Sequence, residues 1–169
     1  MAIYRIYNGP MPTTASQAAV STGTNILTLL QVKVTSPLVR VVEWGISFNG
    51  PTAAVVGVEC ELLETAAVFA TMSALVDADI HHTFGAAASS YLTLAVAGNS
   101  FLATGYTASA EGTVAATTIH DAVFVQPNAN YCKVFEKGRE VFPVVGNSLR
   151  IRVKAAAAYN AICYMVLEI

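Results

Sequence analysis

Three histidines, three cysteines and eleven carboxylates are the side chains with which this 169-residue chain could do chemistry. His81 and His82 are adjacent. On a strand, neighbours point to opposite faces, so the two cannot readily ligate one metal. A His-x-His site would also want a downstream Glu and His, and His120 alone remains. His120-Asp121 fails by the same geometry. A Ser-His-Asp or Cys-His site can be assembled from distant elements, but no G-x-S-x-G elbow is present. Phosphate-binding G-x-x-x-x-G-K-[ST] and G-x-G-x-x-G runs are absent as well. A small β-sandwich hydrolase or metal enzyme using His81, His82 or His120 is therefore an alternative to be tested, and the reading adopted is that the chain is not an enzyme. No catalytic residue, cofactor or metal is assigned. Cys60, Cys132 and Cys163 are an odd, widely spaced set without a C-x-x-C pair. Cys60 and Cys163 sit in apolar strand patterns, as buried thiols in a reducing cytoplasm would.

The charged residues carry more information. Arg150, Arg152 and Lys154 share one strand face at ~6.8 Å spacing. Residues 131–154 hold six basic and two acidic side chains, so this segment is +4 and the remainder −6 for a net charge of −2. Such polarisation lets one part of a subunit attract another part of its neighbour. Glu59 and Glu61, on one face of another strand, are the natural complement. Nucleic-acid binding would want aromatics among the basic residues, and Leu149, Ile151 and Val153 stand there instead. No nucleic-acid or membrane partner is expected.

The elements that position these residues are strands. Val56, Val58, Cys60 and Leu62 alternate with Gly57, Glu59, Glu61 and Leu63. Over Ile26 to Thr35, Leu30, Val32 and Val34 alternate with Gln31 and Lys33. Over Val39 to Phe48, Val42, Trp44, Ile46 and Phe48 take one face and Val41, Glu43, Gly45 and Ser47 the other. Asn49-Gly50-Pro51 and Ser36-Pro37 break the chain, and Gly146-Asn147 precedes the strand over Leu149 to Lys154. Tyr159 to Glu168 is apolar on both faces, which predicts a strand in the middle of layers or under a neighbour. Weaker strands are expected at Ile3–Tyr7, Tyr91–Ala97, Phe101–Thr107, Asp121–Gln126 and Val141–Val145. Val68, Met72, Leu75 and Val76 predict a short helix or helical turn within Ala66–Asp79. Strands at roughly 8–12-residue spacing point to a sandwich or barrel.

Charged residues are 12% of the chain and hydrophobic ones 54%, against about 25% charged in average soluble domains. This excludes whole-chain disorder and a coiled coil. A monomer of this size exposes on the order of 8,000 Å². Twenty charged groups cover that thinly, and large exposed apolar patches mark interaction sites. Met1–Tyr7 is broken at once by Asn8-Gly9-Pro10, so no cleaved leader is expected. No run reaches the ~18 apolar residues of a membrane helix.

Four runs carry a resemblance: Thr104-Gly105-Tyr106-Thr107-Ala108-Ser109-Ala110-Glu111-Gly112-Thr113, Phe135-Glu136-Lys137-Gly138-Arg139-Glu140, Ser148-Leu149-Arg150-Ile151-Arg152-Val153-Lys154-Ala155, and Tyr164-Met165-Val166-Leu167-Glu168. Over roughly 104–169 the chain resembles small jelly-roll structural proteins of tailed bacteriophages, the head-decoration and minor virion proteins. The resemblance implies a homo-oligomer, often a trimer, on the major capsid protein lattice. The expected protein is thus an all-β antiparallel sandwich of jelly-roll type with one short helical insertion. Residues 1–25 form an extended N-terminal arm or loop, and 26–169 a single domain. The expected function is capsid decoration: cementing the head surface as a virion protein assembled in the host cytoplasm. Arg150, Arg152, Lys154, Glu59 and Glu61 are the expected interface charges, and Tyr4, Tyr7 and Tyr164 the expected apolar anchors. A phage tail or receptor-binding module is the other structural alternative; it would expose an aromatic-lined sugar site, whereas Trp44 reads as core.

Overall fold

A computed structural model describes residues 2–10, 14–16, 20–50, 56–66, 70–94, 103–112 and 117–169. Alternating apolar residues there form twelve strands: β1 (Ile3–Tyr7), β2 (Val20–Ser21), β3 (Ile26–Lys33), β4 (Arg40–Phe48), β5 (Val58–Thr65), β6 (Thr71–Ala74), β7 (His81–Phe84), β8 (Gly105–Ala110), β9 (Thr117–Val125), β10 (Asn130–Val134), β11 (Ser148–Lys154) and β12 (Asn160–Glu168). They make two antiparallel sheets, a β-sandwich. Sheet A has the order β10-β4-β12-β1-β7, with β2 paired to the start of β12; sheet B has the order β6-β8-β3-β11-β5-β9. Eight strands pair from the outside inward: β1 with β12, β3 with β11, β4 with β10 and β5 with β9. β4·β12 and β5·β11 then join these pairs within each sheet. No helix among the described residues is long and apolar enough to cross a membrane.

The inner faces meet in one core. Tyr4, Ile6, Trp44, Ile46, Cys163 and Met165 from sheet A pack against Leu30, Val32, Cys60, Leu62, Ile151 and Val153 from sheet B. Each large apolar side chain so buried contributes about 1.5–3 kcal/mol. The accessible surface is 8084 Å², close to the ~8,000 Å² of a self-contained folded monomer of this size.

Several expectations need correction. The helix within Ala66–Asp79 is not formed by the described residues. Thr71–Ala74 is strand β6, and only Asp77–Asp79 make a single 3-10 turn. Thr71-Met72-Ser73-Ala74 alternates as well as it spirals, and the free edge of β8 supplies the pairing that decides it; residues 67–69 lie outside the described residues. Within the expected arm of residues 1–25, Ile3–Tyr7 is a paired strand, and residues 1, 11–13 and 17–19 lie outside the described residues. β1 is an inner strand held between β12 and β7, because Tyr4 and Ile6 belong to the core. In β4 the register skips Val42, so Val41 turns inward; a bulge of this kind shifts the phase of a strand by one. At Tyr91–Ala97 there is a lone bridge from Leu92 to Val34, and 95–97 lie outside the described residues; at Val141–Val145 a lone bridge joins Val141 to Val41. β12 is buried on its inner face, but Ile162 and Tyr164 on its outer face are half-exposed.

Candidate functional site

The charged stripe lies on the outer face of sheet B. Antiparallel register sets Arg152 opposite Glu61 and Lys154 opposite Glu59 on adjacent strands of one chain. Arg152 Nε donates to Glu61 Oε2 at 2.9 Å, and Lys154 Nζ to Glu59 Oε1 and Glu61 Oε1 at 3.0 Å each. Arg150, fully buried, donates to the Glu111 carbonyl at 3.1 Å and lies 3.6 Å from its carboxylate. The expected complement between subunits is therefore satisfied within the subunit, and Arg150 and Glu61 do not face a neighbour. Burial works against the Glu61 carboxylate, yet hydrogen bonds from Lys154 and Arg152 outweigh it and hold the pKa below the ordinary value. Hydrogen bonds to Glu59 and Glu61 raise Lys154. Burial lowers Arg150 despite Glu111, and a guanidinium remains charged regardless.

Described residues of the chain between β5 and β9 lie against this face. Gln31 receives the Ala70 N–H and donates toward the Ala70 and Ala103 carbonyls. Glu111 accepts from the Thr28 backbone N–H and from its hydroxyl. The start of β5 and the end of β11 are more open. An open cleft of about 520 Å³ remains there, framed by Ile26, Val56, Phe124 and Ala155 with the Glu59–Lys154 pair in its wall.

The three tyrosines part company. Tyr4 is fully buried, its hydroxyl donating to the Ala86 carbonyl, so it anchors the core and not a partner. Tyr7 and Tyr164 lie on the outer face of sheet A, ring centres 5.8 Å apart, with the Arg5 guanidinium 5.3 Å from the Tyr164 ring centre. The Tyr164 hydroxyl donates to Glu43 and sits 3.4 Å from Cys132 Sγ. Burial first, then these contacts, raise its pKa. The ring lies over Gly45, where a Cβ would come within 2.7 Å of it. Cys132 is exposed, while Cys60 and Cys163 are buried; burial pushes the Cys60 thiol up to about 12 and Cys163 upward too.

The histidines are not brought together. His81 and His82 are exposed on β7, an end strand of sheet A, and His120 sits in a bulge of β9, an end strand of sheet B. His120 Nε2 is 3.3 Å from Glu64 Oε2. The other oxygen of that carboxylate already accepts the Val144 N–H at 2.8 Å and the Asn147 amide at 2.7 Å. Glu64 thus ties the 142–147 loop to the sandwich. No group of three metal-ligating side chains occurs among the described residues.

Asp121 was missed. It points inward and accepts from Trp44 Nε1 at 3.1 Å and from the Tyr131 hydroxyl at 2.8 Å, joining the edges of the two sheets. Burial, helped by this bond, pushes Tyr131 up to about 12. The signal was present: Asp121 occupies the same strand phase as Val123 and Val125, and a carboxylate on an apolar phase must find donors. Beside this network a cleft of about 350 Å³ is lined by His120, Lys133, Val134, Phe135, Glu136 and Arg139. Ile119, Phe124, Val134, Phe142, Val144 and Val145 are large apolar side chains left exposed. No protein-family model, curated protein or solved structure matches the chain.

Proposed function

We propose that this chain is a structural protein of a viral assembly: a capsid decoration protein that binds the head surface of a tailed bacteriophage as a homo-oligomer, a trimer, and reinforces its subunit contacts. The observation that carries the reading is the number of large apolar side chains that a chain with so few charges leaves exposed. Phe124, Val134, Phe142 and Val144 are each more than half exposed, and apolar surface left open in this way marks contacts to be covered. The sandwich itself supports the jelly-roll form. Eight strands pairing first with last, second with seventh, third with sixth and fourth with fifth are a long hairpin folded over on itself, with two Greek keys. Of the four runs that resemble phage decoration proteins, Phe135–Glu140 directly follows β10 and is largely exposed.

The work done is adhesion. A standard contact buries ~1,600 Å² in total, and repetition around a ring multiplies the effect of each contact. The charge ladder of sheet B keeps the subunit rigid and does not reach across. The test combines sedimentation velocity from micromolar to millimolar concentration with co-sedimentation on undecorated phage shells. Self-association and shell binding, both lost in Val134→Asp/Phe142→Asp with an unchanged fold by circular dichroism, are expected. A lone subunit at every concentration, inert toward the shells, overturns the reading.

A further inference from the structure

We infer that the two ends of sheet A are complementary halves of a head-to-tail contact, the β10 end of one copy receiving the β7 end of the next. This names the self-contact of the assembly reading above and rests on it. Three features of the described residues converge.

The first is strand direction. Sheet A alternates in direction over five strands, so β10 and β7, its first and last, run the same way. A second copy brought alongside without inversion meets β10 with its own β7 in parallel. Such a contact joins two different patches, and it closes into a ring when its rotation permits. Each strand has one neighbour in the sheet and leaves a row of backbone groups on its other edge.

The second is charge. The β10 end presents exposed Lys133, Lys137 and Arg139. Glu136 meets Arg139 at 3.8 Å with both side chains about four-fifths exposed, and Glu140 turns toward Arg40 at 3.9 Å. The β7 end presents Asp77 and Asp79, and residues 70–94 contain no Lys or Arg. Their carboxylates accept the Ser89 and Val76 N–H groups, which fixes them in the turn but leaves their charge in place.

The third is apolar surface at both ends: Val134, 64% exposed, on one, and Val76 and Phe84, 48% and 70% exposed, on the other. Apolar surface thus sits beside Lys133, Lys137 and Arg139 at one end and beside Asp77 and Asp79 at the other, with Glu136 and Arg5, the latter opposite His81, as the charges of the other sign. Two contacts per copy at ~800 Å² each would cover about a fifth of the 8084 Å² surface, an ordinary demand for a small ring.

The test is charge reversal with rescue, read by sedimentation velocity on the full chain. Lys133→Glu/Arg139→Glu places like charges against Asp77 and Asp79 and weakens self-association a hundredfold or more, since like-charge juxtaposition at a contact costs several kcal/mol. Adding Ala78→Lys/His81→Lys to that same chain restores it. All four positions are exposed, and the melting temperature of each variant reports that the sandwich is intact. Unchanged association in Lys133→Glu/Arg139→Glu overturns the inference, and so does failure of the added lysines to restore it. An oligomer indifferent to these changes but dispersed by Phe124→Asp moves the contact to the outer face of sheet B; the assembly reading then stands and this inference falls. A wild-type chain that never self-associates sinks both.

Discussion

The outer faces of the two sheets are built on the same alternation and meet different fates. On sheet B the outward residues Leu63, Arg150 and Gln31 have no exposed surface. On sheet A the outward Ile162 and Tyr164 are half-exposed and Cys132 is exposed. The difference lies in Ala70, Ala103 and Glu111, described parts of the connection between β5 and β9, which bond to Gln31, Thr28 and Arg150 on that face. Alternation therefore reveals the phase of a strand, and it is silent on whether the outward phase meets water or another part of the chain. A row that mixes Leu63, Arg150 and Gln31 belongs under cover, where each polar group must find a partner.

The contrast has measurable consequences. Glu61→Gln should cost about 3 kcal/mol in denaturant unfolding near neutral pH, because it removes one charge of a mostly buried cluster. Glu43→Gln on the more open face should cost less, about 1 kcal/mol, because Glu43 is half-buried and accepts only neutral donors such as the Tyr164 hydroxyl. The Glu61 effect carries a pH signature. A carboxylate whose folded pKa is depressed stabilises the fold above its unfolded value, near 4.5, and that contribution is lost as pH falls through the folded value. The gap between wild type and Glu61→Gln should thus close below pH 4.5, and a gap that persists in strong acid would contradict the ion-pair account.

Gln31→Ala should cost about 2 kcal/mol by leaving the buried Ala70 N–H without its acceptor. Limited proteolysis should then cut faster between β5 and β9, and cleavage at the wild-type rate would mean that Gln31 does not hold the cover. Gly45→Ala should cost only about 1 kcal/mol, because the Tyr164 ring can swing aside. The ring resonances of Tyr164 should shift, reporting loss of its bond to Glu43.

Much of the fold was legible because period two is a local property. The strands over residues 26–33, 40–48, 58–65, 148–154 and 160–168 follow directly from it. β2, β6, β7 and β10 were not expected, because their alternation is not distinct from that of a loop until a neighbour pairs with it. The stripe of Arg150, Arg152 and Lys154 was read correctly as a face, and its match to Glu59 and Glu61 was read correctly as complementarity. What failed was the assignment of that match to two subunits, since β5 and β11 are separated by more than eighty residues and nothing local shows that they are neighbours.

Residue order alone settled an all-β chain, the inward phase of most of its longer strands, Trp44 as core and an unusual shortage of charge. Folding in three dimensions settled which strands are neighbours, and so whether a charge is spent within the subunit or offered outside it. The physical reason is range: side-chain alternation is imposed by the geometry of a single strand, whereas burial and ion pairing depend on contacts between segments distant in sequence.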